Sequence, residues 1–158
     1  MMIRKARDAD LGGIQTLLRA NGLPVEDISM TLIEGFLVAE DARGSLVASA
    51  GLELLGSSVL LRSLAVSSKW RGKGVARELV TRLEDIARAR GQHEVWLLTT
   101  TAQRFFERSG YERVSREDAP DEVRMCKEFT ILCPSTAVCM RKQSTQCAAP
   151  MTERPKTF

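Results

Sequence analysis

The stretch Val59–Arg77, VLLRSLAVSSKWRGKGVAR, decides the fold, because its apolar residues change from one spacing to another across a short basic loop. The first part carries the apolar residues of a strand: Leu60, Leu61, Leu64, Ala65 and Val66. After the loop, apolar residues recur at helical spacing: Val75, Ala76, Leu79, Val80, Leu83, Ile86 and Ala87. The pattern predicts a central strand, a tight turn and a long helix that ends at Arg90, before the capping residue Gly91.

The loop Arg71–Gly74 joins these two elements and carries two glycines among positive charges. Glycine lets the backbone turn tightly and approach a ligand, and the unpaired N–H groups of a helix's first turn favour an anion such as phosphate. The basic side chains around this point are Lys69, Arg71, Lys73 and Arg77. On the glycines alone, an ordinary strand-to-helix turn with solvated lysines is the better interpretation. The longer glycine patterns of a Walker loop and of a dinucleotide fingerprint are absent.

The segment Arg71–Ala76, RGKGVA, resembles the Arg/Gln-x-x-Gly-x-Gly/Ala signature of the GNAT superfamily of N-acetyltransferases. As in that family, it follows a strand ending in Leu-Ala-Val and precedes a long amphipathic helix. The resemblance extends from about Ile3 to Arg141. It implies a single-domain α/β fold with a mixed, mostly antiparallel sheet, a central parallel strand pair and flanking helices. It also implies an enzyme that moves an acetyl group from its cosubstrate acetyl-CoA to an amine, by direct attack in a ternary complex.

The resemblance also implies which residues bind acetyl-CoA. The backbone of Leu64, Ala65 and Val66 would pair with the pantetheine arm, and an N–H group near Val66 would polarise the thioester carbonyl. The residues implied for the pyrophosphate are Arg71, Gly72, Lys73, Gly74, Val75, Ala76 and Arg77.

The chain departs from the family at two further positions implied to contact the cofactor. The family often has Asn-x-x-Ala-x-x-Phe-Tyr where this chain has TTTAQRFF, so that Thr99 replaces the asparagine and Phe106 the tyrosine. Phenylalanine cannot donate a proton to the departing thiolate. Phe106 then packs on the pantetheine arm or belongs to the core. The thiolate leaves unassisted, takes a proton from water, or is assisted by Ser135 or Thr99.

Glu53 is the candidate general base, acting directly or through a water, since it lies on the strand beside the predicted cofactor strand. It is equally well interpreted as a strand carboxylate that pairs with Arg62, because the hairpin places it close to Leu61 or Arg62. Arg62 in turn is the candidate substrate-binding residue. Its planar fork suits two-point contact with a carboxylate or a phosphinate-like group of the acceptor.

Three blocks resemble, more narrowly, an arsenic-resistance-associated N-acetyltransferase subfamily: LLRSLAV, LLTTTAQRFFERSGY and KEFTILCPSTAVCM. That resemblance implies a small-molecule amine acceptor, such as the toxic amino acids arsinothricin or phosphinothricin. Two alternatives stay open. One is a protein-amine acetyltransferase of the same fold, and the other is a non-catalytic acyl-CoA-binding or arsenical-sensing module, which the missing tyrosine makes plausible.

Composition excludes several classes of protein. With 158 residues and 44% hydrophobic residues, the chain suits one domain with its own core. A net charge of +3 does not indicate nucleic-acid binding. No apolar run approaches the roughly 20 residues of a membrane helix, and the start, MMIRKARDADL, does not resemble a signal peptide. We therefore expect a cytoplasmic protein without nucleic-acid or membrane partners, and a homodimer stays open.

The four cysteines do not indicate a metal site. Cys126, Cys133, Cys139 and Cys147 include no Cys-x-x-Cys pair, and His93 is distant in sequence. We expect free thiols, the first three partly buried, and no bound metal.

The rest of the chain predicts a domain over residues 1–142 and a flexible tail over 143–158, where no hydrophobic period is present. The predicted strands are Met2–Ala6, Phe36–Ala39, Ser45–Leu54, Val95–Leu98, Tyr111–Ser115 and Thr136–Arg141. The predicted helices are one carrying Leu11 to Leu18, a second over Val25–Thr31, Ala102–Ser109 and Asp118–Phe129. On the long helix, the spacing predicts ion pairs of Glu78 with Arg82 and of Glu84 with Arg88.

Overall fold

A seven-stranded sheet organises residues 1–132 and 136–143, the part of the chain that the computed structural model describes. The strands are β1 (Met2–Lys5), β2 (Phe36–Glu40), β3 (Leu46–Leu55), β4 (Ser58–Val66), β5 (Glu94–Thr99), β6 (Glu112–Arg113) and β7 (Val138–Gln143). Their order is β1-β2-β3-β4-β5-β7-β6. Strands β4 and β5 are parallel and the other neighbours are antiparallel, which confirms the predicted mixed sheet.

Helices cover both faces of this sheet. They are α1 (Leu11–Ala20), α2 (Val75–Ala89), α3 (Gln103–Arg108) and α4 (Asp121–Arg124). Successive residues of a strand point to opposite faces, and in β2 Leu37 packs in the cluster that includes α2 while Phe36 packs in the cluster that includes α1. Helices α1 and α2 therefore lie on opposite sides of the sheet. None of the described helices is long and apolar enough to cross a membrane.

The central strands β4 and β5 pair over a very short distance. Their register pairs Val59 with Val95 and Leu60 with Trp96, although β4 continues to Val66. Beyond these pairs β4 contains a bulge: Ser63 has a φ of 60°, and the β3–β4 register shifts there. The Ser49 hydroxyl donates to the Ser63 carbonyl at 3.0 Å and holds the bulge. The two strands consequently diverge and leave a cleft between their ends.

The predicted helix over Val25–Thr31 is wrong. This segment consists of turns, and only Leu32–Gly35 forms a 3-10 helix. Short helices are marginal without tertiary support. Here the tertiary contacts favour an irregular path, because Ile28 is buried in the core and Asp27 forms an ion pair with Arg62 of β4.

The elements after α3 are shorter than predicted, or shifted. The strand predicted over Tyr111–Ser115 is only β6, and the helix predicted to reach Phe129 stops at Arg124 and is followed by a π-helical turn, Glu128–Leu132. Strand β7 starts two residues later than predicted and includes Gln143, the first residue assigned to the tail. Residues 144–158, the remainder of that predicted tail, lie outside the described residues.

Helix α2 confirms one of its two predicted ion pairs. Arg82 pairs with Glu78 at 2.8 Å on the exposed face, whereas Arg88 pairs with Asp85 instead of Glu84. Glu84 is buried and accepts hydrogen bonds from the Tyr111 hydroxyl at 2.9 Å and from Lys142 Nζ at 3.1 Å. The prediction for Glu84 was wrong because helical spacing does not show which face is covered by β7.

Gly51 and Gly12 make a matched pair for testing how tightly the sheet is packed. A Cβ at Gly51 would lie 2.1 Å from Cδ1 of Phe36, its partner on β2, whereas a Cβ at Gly12 in α1 would meet no atom within 4 Å. We expect Gly51→Ala to lower the free energy of unfolding by about 1–3 kcal/mol through overpacking. Gly12→Ala should raise it by up to about 1 kcal/mol. Urea unfolding of both variants measures this, and an unchanged Gly51→Ala would contradict the packing described.

Candidate functional site

A cavity of about 410 Å³ occupies the cleft where β4 and β5 diverge. Its walls are Leu61–Leu64 of β4, Leu97–Thr99 of β5 with the following residues 100–102, the segment after α1, Phe106 of α3, and part of the π-helical turn. The lining side chains that carry charge are Arg62, Glu26 and Glu128. The cavity therefore combines apolar walls with hydroxyl and charged side chains that can orient a small molecule.

The backbone N–H of Val66 points away from β3, near the end of β4. Ser67 N–H donates to the Val47 carbonyl at 2.8 Å, and Ala48 lies opposite Val66. This is the pattern of a non-hydrogen-bonded antiparallel pair, so the N–H and carbonyl of Val66 point away from β3. They face the side from which β5 has diverged. A ligand that lies along this side of β4 can therefore meet the N–H donor that the resemblance to the GNAT superfamily implies.

The N-terminus of α2 has a backbone geometry and a helix dipole that favour an anion. Gly74 is its N-cap residue with φ 84°, and no side chain caps the helix there. Gly72 also has a positive φ of 76°, and residues 71–74 are exposed. The first-turn N–H groups have no intrahelical acceptors and lie at the positive end of the helix dipole. Lys73 adds a charge beside them, with its Nζ 6.0 Å from the Trp70 ring centre.

Arg71 fastens this loop to the cavity wall. Its Nε donates to the Val66 carbonyl at 3.1 Å, and its Nη2 donates to Asn21 Oδ1 at 2.8 Å. Asn21 precedes Gly22, which lines the cavity. The described contacts of Arg71 are thus internal, and its role in holding pyrophosphate stays a prediction.

Arg62 lies at the centre of a buried charge cluster. Its side chain has no exposed surface, and it pairs with both carboxylate oxygens of Asp27 at 2.7 Å, with Glu53 at 2.9 Å and with Glu128 at 3.5 Å. Burial lowers the pKa of Arg62, but the hydrogen bonds that it donates to Asp27 and Glu53, together with the charges of Glu128 and Asp27, outweigh this and raise the pKa above its ordinary value. Three carboxylates therefore surround one guanidinium.

The structure bears on the predicted catalytic residues to different degrees. Glu53 pairs with Arg62, which confirms the structural interpretation of this residue, and it is not among the residues that line the cavity. Its role as the base stays a prediction. Arg62 lines the cavity, but its fork is filled by Asp27. Ser135 lies outside the described residues.

Thr99 and Phe106 both line the cavity. The Thr99 hydroxyl accepts the N–H of Ala102 at 2.9 Å, as expected for a threonine that closes the turn into α3. The chain's one tyrosine, Tyr111, packs edge-on to Phe106 with ring centres 5.3 Å apart, yet its hydroxyl donates to Glu84. Burial and the charge of Glu84 raise the pKa of Tyr111 above its ordinary value. The phenol of Tyr111 is therefore not positioned to protonate a thiolate in the cavity.

Sequence reasoning missed the residues that come from irregular segments. Asp27 and Glu26 lie in the turns after α1, and Glu128 begins the π-helical turn, all in segments predicted as helices. Nothing in their spacing marks them as neighbours of Arg62. The available signal was Arg62 itself, because a buried arginine on a central strand requires carboxylate partners.

The cysteines remain thiols in the described part of the chain. Cys126 and Cys139 are free and buried, as predicted, and burial raises the pKa of both thiols, to about 11 for Cys139. Cys133 and Cys147 lie outside the described residues. Within those residues no three or more His, Cys, Asp or Glu side chains are arranged to hold a metal ion.

A family model described as the acetyltransferase (GNAT) domain matches residues 33–113, which include β4, the glycine loop and α2. This chain belongs to the GNAT family. It is an acetyl-CoA-dependent N-acetyltransferase, which decides against the non-catalytic alternative. The family match does not assign this chain to the arsenic-resistance subfamily.

Two relatives are similar over most of their length. An uncharacterized N-acetyltransferase of Chlorobaculum tepidum is 30% identical over 145 residues, covering 87% of this chain and 90% of that protein. An amino-acid acetyltransferase of Mycobacterium tuberculosis is 31% identical over 140 residues, covering 82% of this chain and 80% of that protein. An amino-acid acetyltransferase of Pseudomonas fluorescens is 34% identical over 127 residues, but the chain spans only 29% of its length.

Solved structures agree on the fold. Rv2747 of Mycobacterium tuberculosis, in complex with CoA and NLQ, superposes with a TM-score of 0.77 at 25% identity, covering 90% of this GNAT chain and 99% of that one. N-acetylglutamate synthase of Neisseria gonorrhoeae, complexed with coenzyme A and N-acetyl-glutamate, gives a TM-score of 0.78 at 21% identity, covering 90% of this chain and 34% of its own. The second likeness concerns the fold alone.

Gly74 and Gly91 test whether the glycine loop binds the cofactor. They lie at opposite ends of α2 with nearly equal φ values of 84° and 82°, so a valine at either position is similarly strained. We expect Gly74→Val to weaken CoA binding at least tenfold, because it disturbs the backbone that meets the pyrophosphate. Gly91→Val should lose comparable stability but keep its CoA affinity. Calorimetric titration with CoA decides this, and equal affinities in the two folded variants would remove the loop from the site.

Proposed function

We propose that this N-acetyltransferase acetylates the amino group of a small molecule. The observation that carries the proposal is the cavity of about 410 Å³ at the divergence of β4 and β5. This volume falls within the range of roughly 300–1,000 Å³ typical of small-molecule sites. Segments on two sides narrow it, from Gly22 to Glu26 on one and at Glu128 and Leu132 on the other. The names of the amino-acid acetyltransferases to which the chain is similar support the same class of acceptor.

We further propose how acetyl-CoA lies in this site. Its pantetheine arm runs along the backbone of β4 from Leu64 to Val66, between that strand and the side chains of Thr99 and Phe106. Its pyrophosphate meets the loop and first turn from Arg71 to Arg77. The Val66 N–H donates to the thioester oxygen and stabilises the negative charge that develops there during attack. The acceptor then enters between the segment after α1 and the π-helical turn.

Within this class we propose a toxic amino acid, arsinothricin or phosphinothricin, as the acceptor. The three sequence blocks that resemble the arsenic-resistance subfamily motivate this narrower proposal. This narrower proposal requires a change at Arg62, because its guanidinium already donates two hydrogen bonds of 2.7 Å to Asp27. The acceptor's carboxylate or second oxyanion has to replace Asp27 on the fork, or bind elsewhere.

An acceptor panel tests the proposed function directly. Purified enzyme receives acetyl-CoA with arsinothricin, phosphinothricin, glutamate, methionine sulfoximine, polyamines or a lysine peptide, and release of the free CoA thiol gives kcat/KM for each. We expect a small amine to be the best acceptor, and one of the two toxins if the narrower proposal is right. Faster acetylation of the peptide would support the protein-amine alternative and overturn the proposal. Faster acetylation of polyamines than of the two toxins would overturn only the proposal of a toxic amino acid as the acceptor.

Asp27→Asn tests whether Arg62 anchors the acceptor. Removing this carboxylate's charge weakens its hold on the fork, so an acceptor with a carboxylate should bind better and its KM should fall by about tenfold. An amine without a carboxylate, such as a diamine, is the matched control, and its KM should not fall. If the two classes of acceptor respond alike, the Arg62 fork does not bind the acceptor.

A further inference from the structure

Two carboxylates stand in the wall of the cavity, Glu26 and Glu128, and they differ in exposure. Glu26 is exposed to solvent at the rim, whereas the Glu128 side chain retains only 8% of its surface. Glu53, the base favoured by sequence position, does not reach the wall. The buried carboxylate that an acceptor meets inside the cleft is therefore Glu128.

Arg62 neutralises its carboxylate partners unequally. Asp27 takes two hydrogen bonds at 2.7 Å and Glu53 one at 2.9 Å, while Nε of Arg62 faces the Ser63 hydroxyl at 3.3 Å. Glu128 lies 3.5 Å from the guanidinium, beyond the usual hydrogen-bond range of about 2.7–3.2 Å. Of the three contacts with Arg62, the longest thus belongs to the carboxylate on the cavity wall, where an acceptor can reach it.

The backbone that carries Glu128 is firmly held. Phe129, the next residue, is buried, and the guanidinium of Arg116 lies over its ring at 5.9 Å. Thr130 donates to the Cys126 carbonyl through both its N–H, at 3.0 Å, and its hydroxyl, at 2.9 Å. The π-helical turn is therefore fixed by packing and hydrogen bonds, and such turns occur often at functional sites. A proton acceptor needs this kind of positional restraint.

We propose that Glu128 is the general base of the acetyl transfer and binds the acceptor's ammonium group; this rests on the proposed transfer to an amine in this cavity. The carboxylate first takes one proton from the ammonium. The neutral nitrogen then attacks the thioester carbon, so that the C–N bond forms and the C–S bond breaks. The thiolate leaves with the electron pair of that bond. The second proton lost by the nitrogen goes to the thiolate through solvent, and Glu128 returns its proton to water.

Three glutamate-to-glutamine variants separate this proposal from its alternatives. Glu128→Gln should lower kcat/KM by about 10²–10⁴-fold, the usual contribution of a general base, with unchanged affinity for CoA. Glu53→Gln, which loses a partner of Arg62 outside the wall, should lower it far less. Glu117→Gln removes an exposed carboxylate that is not among the cavity-lining residues and serves as the control. The opposite order of Glu128 and Glu53 would overturn the proposal in favour of Glu53.

The pH dependence of the rate distinguishes a base from a structural carboxylate. Without a base, only the neutral fraction of the amine reacts, so the rate of Glu128→Gln should rise about tenfold per pH unit up to the acceptor's pKa. The wild type should level off at lower pH. Charged or ionisable groups around Glu128 in the described part of the chain include Arg62, Asp27, Glu53, Glu26 and Cys126. Parallel profiles for the wild type and Glu128→Gln would show that Glu128 only supports the fold.

The test remains decisive if a control fails. Urea unfolding checks that Glu128→Gln is folded, and Glu128→Asp, which keeps the charge beside Arg62, should retain the wild-type plateau at a reduced rate if the proposal holds. The assay uses whichever amine the wild-type enzyme acetylates. If that amine is only a lysine peptide, the small-molecule function fails, while Glu128 is still judged by its own pH profile with the peptide.

Discussion

The short pairing of β4 with β5 is the constraint on which the site depends. Two residues of each strand face each other, and then the bulge at Ser63 turns β4 away. A non-glycine residue at positive φ costs on the order of 1–3 kcal/mol, so the surrounding structure has to hold it. The Ser49 hydroxyl on one side and the clamped Arg62 on the other do so. The cavity results from this divergence, which also leaves the Val66 N–H without a neighbouring strand on that side.

The Arg62 cluster ties three separate parts of the chain to the central strand. Asp27 comes from the turns after α1, Glu53 from β3 and Glu128 from the π-helical turn. Removing one partner of a buried ion pair typically costs about 3–5 kcal/mol, whereas forming the pair contributes little net stability. The cluster therefore contributes more to positioning these segments than to net stability. It holds the two segments that narrow the cavity at a defined distance from β4.

Local patterns predicted the parts of the fold whose conformation is determined locally. The strand, glycine loop and long helix from Val59 onward follow from spacing alone, and the parallel pairing of β4 with β5 follows from their connection through a helix. The segments around Asp27 and Glu128 could not be predicted, because a buried guanidinium elsewhere in the chain determines their paths. The contacts of Glu84 show the same limit of local patterns within a helix. Its spacing from Arg88 matches that of Glu78 from Arg82, but Tyr111 and Lys142 cover only the face on which Glu84 lies.

The position of β7 between β5 and β6 also has a consequence for synthesis. At ~5–20 residues per second the ribosome produces β7 on the order of seconds after β5, because α3, β6 and α4 are translated in between. During that interval the nascent chain carries β5, with Val95, Trp96 and Leu97, without its antiparallel neighbour. An unpaired apolar strand is a template for association with other chains. Truncation before Val138 would make this exposed state permanent, so β7, the last of the described strands, protects the centre of the sheet from aggregation.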